Sequence, residues 1–302
     1  MLYAVFKRSY FVVKRLIEAK DQKRMRREVL PKEITHTEYV YLEDGHHLHR
    51  FNLYKNLKVK DTKHLPLIID IHGGGWICGD KDTNNHFNYH LALGGNNVSS
   101  LSYRTIDHCT IREQIQDIFA YLHFLEEHAD CLGICLNDVS LTGDSAGGQL
   151  ALLAHCVNQD KKLQKLFSVS PVKFSAKCLI LNHSVCYINE AGKLPGRPIT
   201  SRLLCIPGLQ RMMYGKKFTQ NKLYQNTFSP MRYIHEGSKI PPILLITSKG
   251  DKNYSYQTLK LYRDLTAAGR MCELYYEKNA NAGHVFNVAY PDSAAGKKCN
   301  RH

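Results

Sequence analysis

The 302-residue chain has no uninterrupted apolar run of the roughly 18 residues that a membrane-spanning helix requires. Its early apolar clusters are cut by Lys7, Arg8, Lys14 and Arg15, which also spoil a secretory signal core, and no small-residue cleavage site follows. The expectation is therefore a cytoplasmic protein. Internal repeats and low-complexity linkers are absent as well, which argues against a solenoid or a tethered multidomain chain. Zinc-finger, RRM-like and basic-zipper patterns are missing, so a net charge of +14 comes with no nucleic-acid-binding motif to use it, and no nucleic-acid partner is expected. The ten cysteines are scattered, and the closest pair, Cys131 and Cys135, has no second Cys or His pair at metal spacing. Reduced thiols and no metal are the reading, with Cys78 placed near enough to a glycine run to raise the question of oxidation.

Much of the positive charge lies in the first thirty residues. There Leu2, Val5, Phe6, Val13, Leu16 and Ile17 recur at helical spacing opposite basic residues, which predicts an amphipathic basic helix within residues 1–35. It can pack its stripe on the body of the protein or lie on an anionic membrane surface. Further on, strand patterns flank the turn Asp44-Gly45 as a hairpin. Apolar strands follow at "LPLIIDI", "NVSSLSY", "DVSLTG", "KCLILNHS", "PILLITS" and "CELYYEK", with helical stretches such as "IREQIQDIFAYLHFLEEHA", "AGGQLALLAHCV" and "SYQTLKLYRDLTAAG" between them. Gly269 closes the last of these. This alternation predicts one α/β domain over 1–302, with a mainly parallel central sheet and helices on both faces. Residues 186–232, interrupted by Gly192, Pro195, Gly196, Pro198, Pro207, Gly208 and Gly215, are too long for a connection and too broken for one helix. They are expected to be a cap or lid insertion.

Between the third of these strands and its helix stands Gly143-Asp144-Ser145-Ala146-Gly147, a G-x-S-x-G. With Gly and Ser each near ~7% of residues, the pattern arises by chance in roughly one chain in ten of this length, so its position carries the weight. A serine on a sharp strand-to-helix turn stands clear of the sheet, and the helix N-terminus directs N–H groups at any anion formed beside it. Such a serine needs a base. His284, in the short loop "NANAGHVFN", and Asp251, at the end of "PPILLITSKGD", complete the order Ser, Asp, His. Glu277 and Asp292 are the next carboxylates to consider. The glycine run "HGGGW", residues 72–76, suits an approach of bare backbone to a developing oxyanion.

Together "HGGGW" and "GDSAGG" resemble the hormone-sensitive-lipase-like branch of the α/β-hydrolase fold, over about residues 36–290. Ser102 to Arg104, "SYR", is similar to that family's Tyr-Arg element, and "FSPMRYI" before "PPILLI" is similar to small carbohydrate-acetyl and feruloyl esterases of the same fold. The resemblance implies an oxyanion hole from Gly74, Gly75 and Ala146, with Gly73 as a substitute for Gly75. His72, Trp76, Asp144 and Tyr187 are taken to lie at the substrate. The implied activity is hydrolysis of short-chain acyl esters, including acetyl esters of sugars or aryl esters, through an acyl-enzyme and without a cofactor. Amide or formamide hydrolysis on the same triad is the rival enzyme reading, and small-molecule binding without catalysis is the rival of another class.

Overall fold

The computed structural model describes residues 2–190, 199–235 and 237–301. β1 (Ile34–Val40) and β2 (Arg50–Asn56) pair antiparallel as the expected hairpin. β2 then pairs antiparallel with β4 (Asn97–Leu101), and β3 (Leu67–Ile71), β5 (Val139–Asp144), β6 (Cys178–Asn182), β7 (Ile243–Ser248) and β8 (Cys272–Glu277) continue in parallel. The order across the sheet is β1-β2-β4-β3-β5-β6-β7-β8. Every residue of β3 and β4 is buried, as a strand covered on both faces requires. The sheet is the mainly parallel one that the sequence pattern implies.

Helices cover it. α3 (Ile111–Leu132) starts at a capping box formed by Thr110 and Glu113 and turns its Ile111, Ile115, Ile118, Leu122 and Leu125 stripe to the core. α4 (Ala146–Gln159) is buried over nearly its whole length beneath the sheet's centre, with α5 (Lys161–Phe167) beside it. α2 (Asn85–Leu93) packs on β2 and β4, and α8 (Ser255–Ala267) packs on β7 and β8 and is followed by Gly269 at φ 66°. Two short helices near the end of the chain, α9 (Phe286–Ala289) and α10 (Ala294–Cys299), pack on each other.

The segment 186–232 departs from expectation. Residues 191–198 lie outside the described residues, as do the side chains of Leu203, Leu204 and Ile206. The rest includes α6 (Ile199–Tyr214), which runs through Pro207 instead of breaking there, and α7 (Lys222–Thr227). Proline removes one backbone hydrogen bond and crowds the preceding turn, so packing must hold the helix. Met213 and Tyr214 are buried at its C-terminal end, and α6 packs on α1 (Leu2–Met25).

α1 is a helix as expected, and Tyr10 and Ile17 of its described part pack on the main apolar core. The side chains of Leu2, Val5, Phe6 and Val13 lie outside the described residues. Of the rest, Tyr10 is buried, Ile17 is half-buried, and Leu16 is 66% exposed. Polar contacts also hold the helix: Lys14 Nζ donates to Asp107 Oδ2 at 2.6 Å, and Arg24 donates to the Thr83 carbonyl at 2.6 Å and to Glu28 at 2.6 Å. No helix among the described residues is long and apolar enough to cross a membrane.

The Lys14–Asp107 pair makes a testable case, since Asp107's side chain is only 5% exposed. Lys14→Ala should destabilise the fold by on the order of 1–2 kcal/mol, between an exposed and a fully buried pair, as measured by urea unfolding at pH 7. Burial opposes the charge on Asp107, but its bonds from Lys14 and Thr105 hold its pKa below the ordinary 3.8. A folded pKa below the unfolded one gives stability that is present above pH 3.8 and lost as pH falls through the folded value, so the difference between Lys14→Ala and the parent should vanish in strong acid.

Candidate active site

β5 delivers Ser145 onto a sharp turn at φ 52°, ψ −114°, a conformation that side-chain-bearing residues rarely adopt. The turn is held from both sides: the Ser145 N–H donates to the Asn182 carbonyl at 2.8 Å, and the Ser145 carbonyl accepts from Val185 N–H at 3.0 Å. Two residues on, Gly147 passes so close to β3 that a Cβ there would stand 1.9 Å from the Ile71 carbonyl oxygen. Only glycine fits at that crossing. α4 therefore begins directly at Ala146, with its N-terminus beside Ser145.

The glycine run lies against this turn. Gly74 has φ 97° and faces the Cys78 carbonyl, which a Cβ would meet at 2.0 Å. Gly73 is otherwise engaged: its N–H donates to Asp144 Oδ1 at 2.8 Å, so it is not free to serve in place of Gly75. Among the described residues, no acceptor takes the N–H of Gly74, Gly75 or Ala146. Asp144 also accepts from Asn84 Nδ2 at 2.8 Å, and the same amide nitrogen reaches Asp70 Oδ2 at 3.1 Å. Asn88 donates to Asp70 as well. Burial, and then the Asp144 charge, push Asp70 up to about 7. Cys78 is buried and its thiol donates to the Gly74 carbonyl, while burial pushes its pKa up to about 12. That disfavours the thiolate through which oxidation proceeds. The nine described cysteines are all free.

The loops after β7 and β8 bring together Asp251 and His284, with His284 Nδ1 2.7 Å from Asp251 Oδ2. The loops are stitched by the Ser248 hydroxyl, which donates to the Ala282 carbonyl at 2.6 Å. Burial works against the Asp251 charge, but hydrogen bonding and attraction from His284 prevail and hold its carboxyl below the usual range. The other carboxylates weighed from sequence are engaged elsewhere: Glu277 accepts from Asn279 N–H and Tyr275, and Asp292 lies beside His86 and His90. Two residues went unnoticed in the sequence. Tyr254 N–H donates to Asp251 Oδ1 at 3.0 Å, and its ring centroid sits 4.8 Å from that of His284. An Asp four residues before a helix start could have signalled this turn. His183, fully buried at the end of β6, sets its ring edge-on to His284 at 5.5 Å, and burial pushes its pKa down to about 3. It is a neutral wall, and no sequence motif marks it.

Ser145, His284, Gly74, Gly75 and Asp144 line one cavity of about 300 Å³. Among the described residues its roof is α1, through Ile17, Lys20, Asp21 and Arg24, and its far wall is Val285, Val288, Ala289 and Tyr290. No described residue of 186–232 lines it. Three of the four expected substrate contacts are absent for packing reasons. His72 is fully buried, stacked on Tyr103 at 4.3 Å with Nδ1 on the Gly73 carbonyl. Trp76 is buried and donates to Gln149 Oε1 at 3.0 Å. Tyr187 is buried against α8, with its hydroxyl on Asp264, its N–H on Gln257 and Lys260 over its ring. Asp144 reaches the cavity, but its oxygen is committed to Gly73 and Asn84.

Comparison with known proteins agrees with this fold. The chain is 35% identical over 210 residues to AB hydrolase superfamily protein C1039.03 of Schizosaccharomyces pombe, covering 68% of this chain and 59% of that one. It is 33% identical over 92 residues to Esterase LipI of Mycobacterium tuberculosis, covering 30% of this chain and 29% of that one. The chain thus spans less than two thirds of the length of either of these curated relatives. Among solved structures, Esterase B from Lactobacillus Rhamnosis (HN001) superposes with a TM-score of 0.90 at 27% identity, over 99% of this chain and 93% of that one. The same esterase, inhibited by a C4-C4 tributyrin phosphonate, matches with a TM-score of 0.88 at 28% identity, over 99% of this chain and 93% of that one. The BD-FAE family model matches residues 52–265, most of the sheet and both central loops, and the chain belongs to the BD-FAE family and carries the α/β-hydrolase fold.

Proposed function

We propose that this chain is a serine hydrolase of carboxylic esters. The observation that carries the reading is the Asp251–His284 pair, 2.7 Å apart, with His284 on the wall of the same cavity as Ser145, which sits at a strained turn below a helix N-terminus. Ser145 Oγ attacks the ester carbonyl and His284 takes its proton, while Asp251 holds the imidazole tautomer and faces the positive ring. The N–H groups of Gly74, Gly75 and Ala146 stabilise the oxyanion. His284 then protonates the departing alcohol, and water hydrolyses the acyl-enzyme by the same route in reverse. Relatives named as esterases support the reaction class over amide hydrolysis or binding alone.

The substrates are short-chain acyl esters. A cavity of about 300 Å³ closed over by α1 leaves little length for a long acyl chain, and the tributyrin phosphonate complex of Esterase B is consistent with a four-carbon acyl group. Each methylene that fits adds about 0.8 kcal/mol of burial, so kcat/KM should rise with chain length until the cavity is full and then fall.

A fluorophosphonate probe should label one residue, Ser145, and Ser145→Ala should abolish labelling and turnover together. Labelling that persists in the variant would end the proposal. Asp251→Asn should lower kcat roughly 10²- to 10⁴-fold by removing the tautomer and the countercharge, measured in the steady state on p-nitrophenyl acetate. Across p-nitrophenyl esters from acetate to palmitate, with an aryl-amide series in parallel, kcat/KM should peak between acetate and butyrate. A maximum at decanoate or beyond would refute the short-chain reading.

A further inference from the structure

Beside the α1 roof, and outside the cavity that holds Ser145, α2 presents two histidines one helical turn apart. The i, i+4 spacing of His86 and His90 puts both imidazoles on one face, and the segment between α9 and α10 brings Asp292 across to them. Asp292 Oδ2 stands 3.1 Å from His86 Nε2, and Oδ1 stands 3.5 Å from His90 Nε2. One ligand atom from each of the three residues falls within 4.8 Å of the other two. Both Nε2 atoms are buried, and Asp292 is the polar group beside each of them. His86 is the deeper of the pair, with a side chain only 8% exposed.

We propose that His86, His90 and Asp292 form a zinc site. A tetrahedral zinc with bonds near 2.0–2.1 Å needs ligand atoms roughly 3.3 Å apart; each histidine is already near that distance from one oxygen of Asp292, and the three ligand atoms, all within 4.8 Å, need a small rotamer adjustment to share one ion. Imidazole and carboxylate donors suit zinc among the divalent ions, and three protein ligands leave a fourth position for water on the groove side. Metal ligation requires neutral imidazoles. The groove that borders His86 and Asp292 is lined on its α1 side by Lys20, Lys23, Arg24 and Arg27 against Glu28, so the ion must be held by its ligands against a basic surround. Lys297 donates to Asp292 Oδ1 at 3.2 Å and must give way or keep that oxygen while Oδ2 takes the ion. Arg24, on the α1 side of the groove, is already occupied by Glu28 at 2.6 Å and Asp21 at 3.6 Å.

The site would join parts of the fold that the active-site geometry depends on. α9 begins two residues after His284, and Asp292 follows three residues after α9 ends. α2 carries Asn88, and Asn84 immediately precedes it; these are the amides that hold Asp70 and Asp144. A bound ion therefore fastens the segment carrying His284 to the helix that supports the glycine run. It does so whatever reaction the cavity performs.

The test is equilibrium binding of zinc to the full chain, stripped with a chelator and titrated at pH 7.5 against a chromophoric competitor. One equivalent should bind, and cobalt in its place should give the visible absorption of a tetrahedral ion. His90→Ala and Asp292→Asn, each checked for native circular dichroism, should weaken zinc at least about tenfold. Zinc should raise Tm in the parent and not in either variant. His46→Ala with His47→Ala, on a separate loop, should bind as the parent does. Absence of saturable binding in the parent, or equal binding by parent and site variants, would overturn the proposal independently of whether esters are hydrolysed.

Discussion

One buried carboxylate sets the geometry around Ser145. Asp144 is the residue before that serine, and its side chain reaches across to take the Gly73 N–H while accepting from Asn84. The strand end, the glycine run and the approach to α2 are thereby locked to one oxygen. The rest follows from close packing at the same point. With Gly147 crossing β3 and Ser145 held at positive φ, α4 can start in only one direction, and the unclaimed N–H groups of Gly74, Gly75 and Ala146 lie along its N-terminal side. A buried charge tolerates this role because its oxygen is met by two good donors.

Around that fixed centre the walls are of two kinds. Asp251 and His284 sit on loops tied to each other through Ser248 and bounded by His183 and Tyr254, a well-packed arrangement. The roof is different in kind. α1 is held by ion pairs and a carbonyl contact, leaves Leu16 exposed, and is backed by α6. Residues 186–232, expected over the site, reach it only through α1 as far as the described residues show.

The alternation of strands and helices, the hairpin at Asp44-Gly45, the serine turn and the pairing of Asp251 with His284 were all legible, because each rests on local chemistry or chain order. Tyr187, His72 and Trp76 were misplaced because nearness in sequence to a motif says nothing about which face of a loop a side chain takes. Pro207 misled for a related reason: propensity argues a break, while burial of Met213 and Tyr214 holds the helix together. The role of α1 could not be read from its amphipathic pattern, since the partners of Lys14 and Arg24 lie 93 and 59 residues away. Nor does any motif announce Asn84, whose importance comes from the two acids it bridges.

Those two acids have a consequence for how the glycine run meets negative charge. Burial and the neighbouring Asp144 raise the Asp70 carboxyl well above its ordinary range, so the floor beneath the loop resists a second negative charge. A charge on the buried Asp70 would be weakly screened and would repel Asp144 and any anion forming beside Gly74 and Gly75. The bridging amide of Asn84 can satisfy both carboxylates but cannot neutralise either. The same buried pair that holds the loop in place is therefore also a source of negative potential beneath it, one that acts on the site without touching a substrate.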